Sequence, residues 1–325
     1  MPELRNDLVT GRSVLLAPAR AARPHTVAPP PSGPAVVEGC PFCPGNEHAT
    51  PPELGRTGSG TPDTPGWRVR VVPNLYPIVG GTDAGPHADA TRHPGANGRH
   101  EVVILDPDHS CDLGRLDDAR VEELFTVLCD RARIGAAAGL AHVQVLVNHG
   151  RAAGASIAHP HAQVVAIDFV PPAARDAVQR FAGTATDLVA DDFAASIPQA
   201  GRIADGAAWA WCPWAAASPY ETRIAAPDAG PRFEATPHAA LAAVARVTRD
   251  VVAGIGRLLG EVAYNVVLHN GPTRGDQPFH WYVTVVPRVT TIAGFELGTG
   301  VLVNTVTPAD AAANLRDAIQ EGPTP

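Results

Sequence analysis

The chain has 325 residues, of which 45% are hydrophobic and 18% charged, enough for one large domain or two of medium size. Its formal net charge is -8 and no basic stretch runs along it, which excludes a nucleic-acid footprint of the counterion-releasing kind but leaves room for small anions held by a few arginines. All 25 basic residues are arginine, so no lysine enters the chemistry, either in a phosphate loop or as a Schiff base.

The N-terminus, Met1-Pro-Glu-Leu-Arg-Asn-Asp7, lacks a basic segment followed by an apolar one, and no run reaches the ~18 apolar residues of a membrane span. The expectation is a cytoplasmic protein with no membrane partner. Five cysteines, an odd number, argue against a disulfide framework, and only Cys40 and Cys43 are closely spaced.

In chain order, residues 24–66 and 80–99 are rich in Pro and Gly and read as loops. Between them Trp67-Arg-Val-Arg-Val-Val-Pro73 alternates like a strand. His100 to Leu105 reads as a strand, Asp117 to Ala138 as an amphipathic helix, and Ala141 to Val147 as a strand that turns at Asn148-His-Gly150. His159-Pro-His-Ala-Gln-Val-Val-Ala166 follows. Residues 171–208, rich in Ala and Asp and weakly periodic, read as a linker or lid with at most one helix.

The order then repeats. Tyr220 to Ala226 is a strand, Pro237 to Leu259 a helix and Tyr264 to His269 a strand ending at Asn270-Gly271, before Phe279-His-Trp-Tyr-Val-Thr-Val-Val286. The spans Glu101 to Gly150 and Glu221 to Gly271 differ by one position, which argues for a duplicated unit offset by about 121 residues. The predicted organisation is a first unit over 1–170, the linker or lid over 171–208, and a second unit over 209–325. The predicted class is α+β, with both units sharing a largely antiparallel sheet flanked by helices.

In a strand, residues two apart share a face, so His161 and Gln163 project together with His159 while Val164 and Ala166 face a core. Upstream, Asn148-His-Gly-Arg-Ala-Ala-Gly-Ala-Ser156 supplies glycines that let the backbone approach a ligand, plus an amide and a hydroxyl suited to phosphate oxygens. A neutral imidazole beside such a cradle can attack phosphorus. Cys40-Pro-Phe-Cys43 can place two thiolates on one tetrahedral ion but needs two more ligands, and no second cysteine pair exists; on spacing alone it could equally be a redox pair or two ordinary thiols.

The stretch Asn148-x-Gly-x3-Gly154-x-Ser156-x2-His159-Pro-His161-x-Gln163 closely resembles the active-site motif of the galactose-1-phosphate uridylyltransferase family, a two-unit branch of the histidine-triad superfamily. Arg20-x2-Arg23-Pro, Cys40-Pro-Phe-Cys43, Asn74-Leu-Tyr-Pro77, His100-Glu-Val, Asp108-His109-Ser and Gly294-Phe-Glu296 follow the family's order. The resemblance implies that His161 accepts a nucleotidyl group from a nucleotide sugar and that Gln163 holds a phosphoryl oxygen. Asn148, Gly154 and Ser156 would line the phosphates, Asn74 would lie near the nucleotide, and Arg20 and Arg23 would fork onto phosphates unless they are simply solvated. An amide in place of a third histidine can donate to a phosphoryl group but cannot activate water, which favours transfer over hydrolysis.

The resemblance also implies a zinc ion on Cys40, Cys43, His109 and His159 that braces the strand presenting His161, and a homodimer; Cys111, two residues beyond His109, is by its position an alternative ligand. Relatives with a second metal use a second Cys-x-x-Cys or His-x-His. Here only Pro278-Phe-His280 stands, so His280 is expected to be a hydrogen-bonding or core residue. The activity implied is movement of a nucleoside monophosphate from a UDP-glucose-type nucleotide sugar to a hexose 1-phosphate. One alternative is an ADP-glucose-type phosphorylase using inorganic phosphate: Thr290-Thr-Ile-Ala293 replaces a Lys-Phe pair of uridylyltransferases, and Gly294-Phe-Glu-Leu-Gly-Thr-Gly300 looks like such phosphorylases. A non-catalytic nucleotide-binding protein is the other.

Overall fold

A computed structural model describes residues 1–22, 39–80, 96–197 and 201–321. The chain begins with β1 (Glu3–Asn6), β2 (Ser13–Leu16), β3 (Gly55–Gly58), β4 (Trp67–Pro73) and β5 (Gly98–Ile104). Then come α1 (Asp118–Ala137), β6 (His142–His149), β7 (His161–Ile167), α2 (Pro172–Ala182), α3 (Leu188–Ser196), β8 (Arg202–Ala204) and β9 (Trp209–Trp211). The remainder is β10 (Thr222–Ala225), α4 (His238–Leu259), β11 (Tyr264–His269), β12 (Tyr282–Pro287), α5 (Gly294–Thr299), β13 (Leu302–Asn304) and α6 (Pro308–Gln320).

Ten strands form one sheet in the order β3-β4-β5-β7-β6-β11-β12-β10-β9-β8, each pair antiparallel. The order exposes the duplication. In the first half β5 and β6 flank β7, and in the second half β10 and β11 flank β12, so the halves meet back to back where β6 pairs with β11. The expected α+β class and shared sheet are what the chain adopts.

Each half lays one long helix on the sheet. The Asp117 side chain caps α1 by accepting from the Arg120 N–H. The buried positions Val121, Leu124, Phe125, Leu128, Cys129 and Ala132 recur at helical spacing and make one apolar stripe. On α4 the stripe runs through Leu241, Val244, Thr248, Val251, Val252 and Ile255. Both stripes pack into one core with Val164, Ala166, Val266, Val283 and Val285 from the sheet. Each large side chain removed from water in this layer contributes about 1.5–3 kcal/mol.

Three departures from the sequence reading stand out. Residues 171–208 carry two helices and the edge strand β8 rather than at most one helix. α2 starts on Pro172 and turns Val178 and Phe181 inward with Arg, Asp and Gln outward, an amphipathic helix whose 11 residues are too few to stand out in an Ala-rich stretch. The loop read over 24–66 contains β3, whose Gly-Arg-Thr-Gly has no strand-like pattern. A second sheet, β1-β2-β13, joins the N-terminal residues to the C-terminal part of the chain. It is tied to the large sheet by the buried Arg223 on β10, which bonds Asp7 at 2.5 Å and Asp192 at 2.7 Å.

Candidate functional site

β7 starts at His161, and its alternation sorts its side chains as expected. Ala162, Val164 and Ala166 enter the core beneath α1, while His161 and Gln163 lie on the other face. Leu146 on β6 pairs with Gln163, so Asn148, two residues on, shares that face. Between the two strands the chain makes a short 3-10 turn, Arg151–Ala153, bracketed by Gly150 (φ 77) and Gly154 (φ 91). Both backbone states are costly for any residue with a Cβ, so glycine is what permits the turn. Ser156 is exposed at its end.

The geometry determines which nitrogen of His161 can react. Nδ1 lies 2.9 Å from the His159 carbonyl, which only accepts, so Nδ1 carries the proton and Nε2 carries the lone pair. Burial lowers the His161 pKa from the ordinary imidazole value, with the backbone hydrogen bond opposing, so the ring is held neutral. His161 is 6% exposed. The Phe42 ring meets it edge-on, centroids 5.3 Å apart, and restricts its rotation.

Phe42 lies between the two cysteines, and their loop forms the second part of the site. Cys40, Cys43, His109 and His159 bring their ligand atoms within 4.8 Å of one another. Cys43 Sγ is 3.3 Å from His109 Nδ1 and 3.6 Å from His159 Nδ1, and Cys40 Sγ is 3.8 Å from His159 Nδ1. A tetrahedral ion with ordinary bond lengths requires sulfur–nitrogen edges of about 3.6 Å, so these residues fit a metal ion. His159 is fully buried and its Nε2 donates to the Asp106 carbonyl at 2.8 Å, leaving Nδ1 as the donor atom. Burial and the neighbouring Cys40 push the Cys43 thiol up to about 11, so a cation is needed to hold two thiolates there. The loop is fixed by Asn46, which donates to the Cys40 carbonyl, and by Glu47, which accepts from the Gly45 N–H and from Trp67 Nε1. Cys111 lies outside the cluster.

Two further connections were not visible in the sequence. Gln163 Oε1 lies 2.8 Å from His100 Nε2, and Asn74 Nδ2 lies 3.0 Å from the same nitrogen, so Asn74 and Gln163 flank one edge of the His100 ring. Asn148 Oδ1 accepts from Asn265 of the second half at 2.7 Å. Asn265 also donates to the Ala153 carbonyl and accepts from Arg288, so β11 and β12 set both the Asn148 amide and the turn. A polar side chain near the start of the apolar run Tyr264–His269 was the only signal. Arg20 does not join the site: it is exposed on the 3-10 helix Pro18–Ala22, with no bond to these residues. Arg23 lies outside the described residues.

The profile described as "Galactose-1-phosphate uridyl transferase, N-terminal domain" matches residues 1–171. The chain belongs to this family. It is 31% identical to the ADP-glucose phosphorylase of Arabidopsis thaliana, over 97% of this chain and 93% of that one. The crystal structure of an Arabidopsis ADP-glucose phosphorylase with bound ADP-glucose superposes with a TM-score of 0.82 at 29% identity, covering 98% of both chains. The galactose-1-phosphate uridylyltransferase of Streptomyces lividans is 26% identical over 172 residues, 52% of this chain and 39% of that one. The protein is therefore an enzyme of nucleotidyl transfer. No described helix is long and apolar enough to cross a membrane.

Proposed function

We propose that the protein moves a nucleoside monophosphate from a nucleotide sugar to a phosphate-bearing acceptor through a nucleotidyl-His161 intermediate. One observation carries this reading: the bond from His161 Nδ1 to the His159 carbonyl leaves a buried, neutral ring with its lone pair on Nε2, on the face shared by Gln163 and Asn148. Nε2 attacks the α-phosphorus, the bond to the β-phosphate oxygen breaks, and sugar 1-phosphate leaves. An acceptor phosphate oxygen then attacks the same phosphorus, and the phosphorus–nitrogen bond breaks to restore the imidazole.

Gln163 donates to the phosphoryl oxygen during both steps, and its amide gives water no base, so transfer outruns hydrolysis. Asn148, Gly154 and Ser156 hold the remaining phosphate oxygens, and Asn74 holds the nucleoside. Cys40, Cys43, His109 and His159 hold a zinc ion, whose contribution is to make the strand and the Phe42 contact rigid. Arg20 reaches a phosphate only across the interface of a homodimer, and the enzyme acts in the cytoplasm.

Two acceptors complete such a cycle. The family profile supports a hexose 1-phosphate, with a UDP-glucose-type donor. The full-length likeness to ADP-glucose phosphorylase specifically favours inorganic phosphate with an ADP-glucose-type donor. Pairing UDP-, ADP- and GDP-glucose with galactose 1-phosphate or phosphate separates them by which pair turns over. Incubation with α-labelled nucleotide sugar is expected to leave acid-labile, alkali-stable label on the protein, and His161→Asn to lose it with at least a ~1000-fold fall in rate. Label retained by His161→Asn would reject the assigned nucleophile.

A further inference from the structure

We propose that His100 is a positioning residue for Gln163: its ring N–H holds the Gln163 carbonyl oxygen, so that the amide N–H2 is the end turned to the reacting phosphoryl group. The inference rests on the transfer reading above. His100 is 7% exposed on β5, opposite Val165 of β7, while Gln163 pairs with Val102, so the two side chains are diagonal neighbours on one face.

The tautomer follows from the backbone. The Ile78 N–H donates to His100 Nδ1 at 3.2 Å, so that nitrogen holds a lone pair and the ring proton sits on Nε2. Nε2 is 2.8 Å from Gln163 Oε1, which accepts. The opposite amide orientation would set N–H2 against the ring N–H, two donors with no acceptor between them. Asn74 Nδ2 also approaches Nε2, at 3.0 Å, while Asn74 Oδ1 accepts from the Tyr76 N–H at 2.9 Å. Asn74 Nδ2 can only donate, so the single Nε2 proton goes to Gln163 Oε1 and Asn74 makes no hydrogen bond to the ring, which leaves its amide hydrogens for a ligand. A donor aimed in advance where phosphoryl charge develops lowers the barrier, whereas a carbonyl oxygen presented in its place would repel that charge. Because Ile78 belongs to the segment that follows Asn74, the nucleoside side of the site sets the aim of the catalytic amide.

His100→Phe keeps the ring's shape and removes both bonds, and His100→Gln returns a donor where Nε2 stood. His100→Phe is expected to lower kcat about 10- to 100-fold, with KM for ADP-glucose changed less than about threefold, and to lower the melting temperature because the Ile78 N–H loses its acceptor, so rates are compared well below that transition. His100→Gln should recover most of that loss. In a Gln163→Ala background His100→Phe should cost less than about a further twofold, because the group it aims is gone. A full second tenfold loss in that background, or no recovery with His100→Gln, would overturn the proposal. Nitrogen NMR of the ring in the unmutated protein is expected to show a bare Nδ1 and a protonated Nε2, and the reverse tautomer also overturns it. That spectrum needs no turnover, so a protein with the expected tautomer that forms no nucleotidyl-histidine counts against the transfer reading and not against the His100–Gln163 bond.

Discussion

The two halves place a histidine at the same point of the same plan and use it differently. His159 precedes β7 and, at the offset of 121, His280 precedes β12. Each directs Nε2 at a backbone carbonyl, Asp106 at 2.8 Å in the first half and Ala226 at 2.9 Å in the second. The difference lies at Nδ1. In His159 it faces two thiols and a second imidazole; in His280 it meets the Asp187 carboxylate at 2.5 Å. Where His161 follows in the first half, Tyr282 stands in the second, stacked on His269 with centroids 4.4 Å apart. An imidazole serves as ligand or nucleophile only when one ring nitrogen is left without a partner, and His280 has none to offer.

The cluster of Cys40, Cys43, His109 and His159 gives the strongest test of that contrast. Elemental analysis is expected to find one zinc ion per chain, bound in the first half. Two ions per chain would mean that His280 also coordinates and would end the comparison. Cys43→Ala, or removal of the ion by chelation, should destabilise the protein by more than about 4 kcal/mol, read as a fall in the urea midpoint, because Phe42 and the strand carrying His161 lose their brace. His280→Ala should cost less, about 2–3 kcal/mol, since it leaves the Ala226 carbonyl without its donor and Asp187 without its imidazole. Its transfer rate should stay within about twofold of the parent. A loss of turnover comparable to that of His159→Ala would show that the second half shares in the chemistry.

Which features could be read beforehand follows from their range along the chain. Period-2 alternation placed His161 and Gln163 on one face and Val164 and Ala166 in the core. The strands over Trp67–Pro73 and Tyr264–His269 have the predicted bounds. Cys40, Cys43, His109 and His159 were read from a resemblance, and the fold brings all four together. What stayed hidden depends on register between distant strands: His100 meets Gln163 only because β5 pairs with β7, and Asn265 meets Asn148 only because β6 pairs with β11. No local pattern encodes such pairings. Phe42 looked like a spacer between ligands, and its contact with His161 appears only once the cysteine loop is folded against β7. The second helix of 171–208 was not anticipated: α2 is amphipathic but only 11 residues long, and α3 is 9 residues, mostly apolar with no clear polar stripe, although Asp187 is an ordinary N-cap for it.

Asp187 sharpens the comparison by the smallest margin, because it has two duties. One carboxylate oxygen caps α3 by accepting from the Val189 and Ala190 N–H groups, and the other meets His280. Burial pushes its pKa up, but the His280 ring and the cap hydrogen bonds outweigh it and hold the carboxyl below the ordinary aspartate value. A depressed carboxyl contributes stability above its unfolded value, near ~3.9, and loses it as pH falls through the lower folded value. Asp187→Asn keeps a cap and removes only the charge. With the side chain 42% exposed, solvent screening limits the cost to under about 1 kcal/mol at neutral pH. The gap between parent and variant in urea titrations should begin to shrink as pH falls past about 4 and close only below the lower folded value, where the carboxyl is protonated in both states. A gap that persists in acid would assign the contact to packing, and the second half would then hold its histidine without help from the carboxylate that stands where the first half has its cysteines.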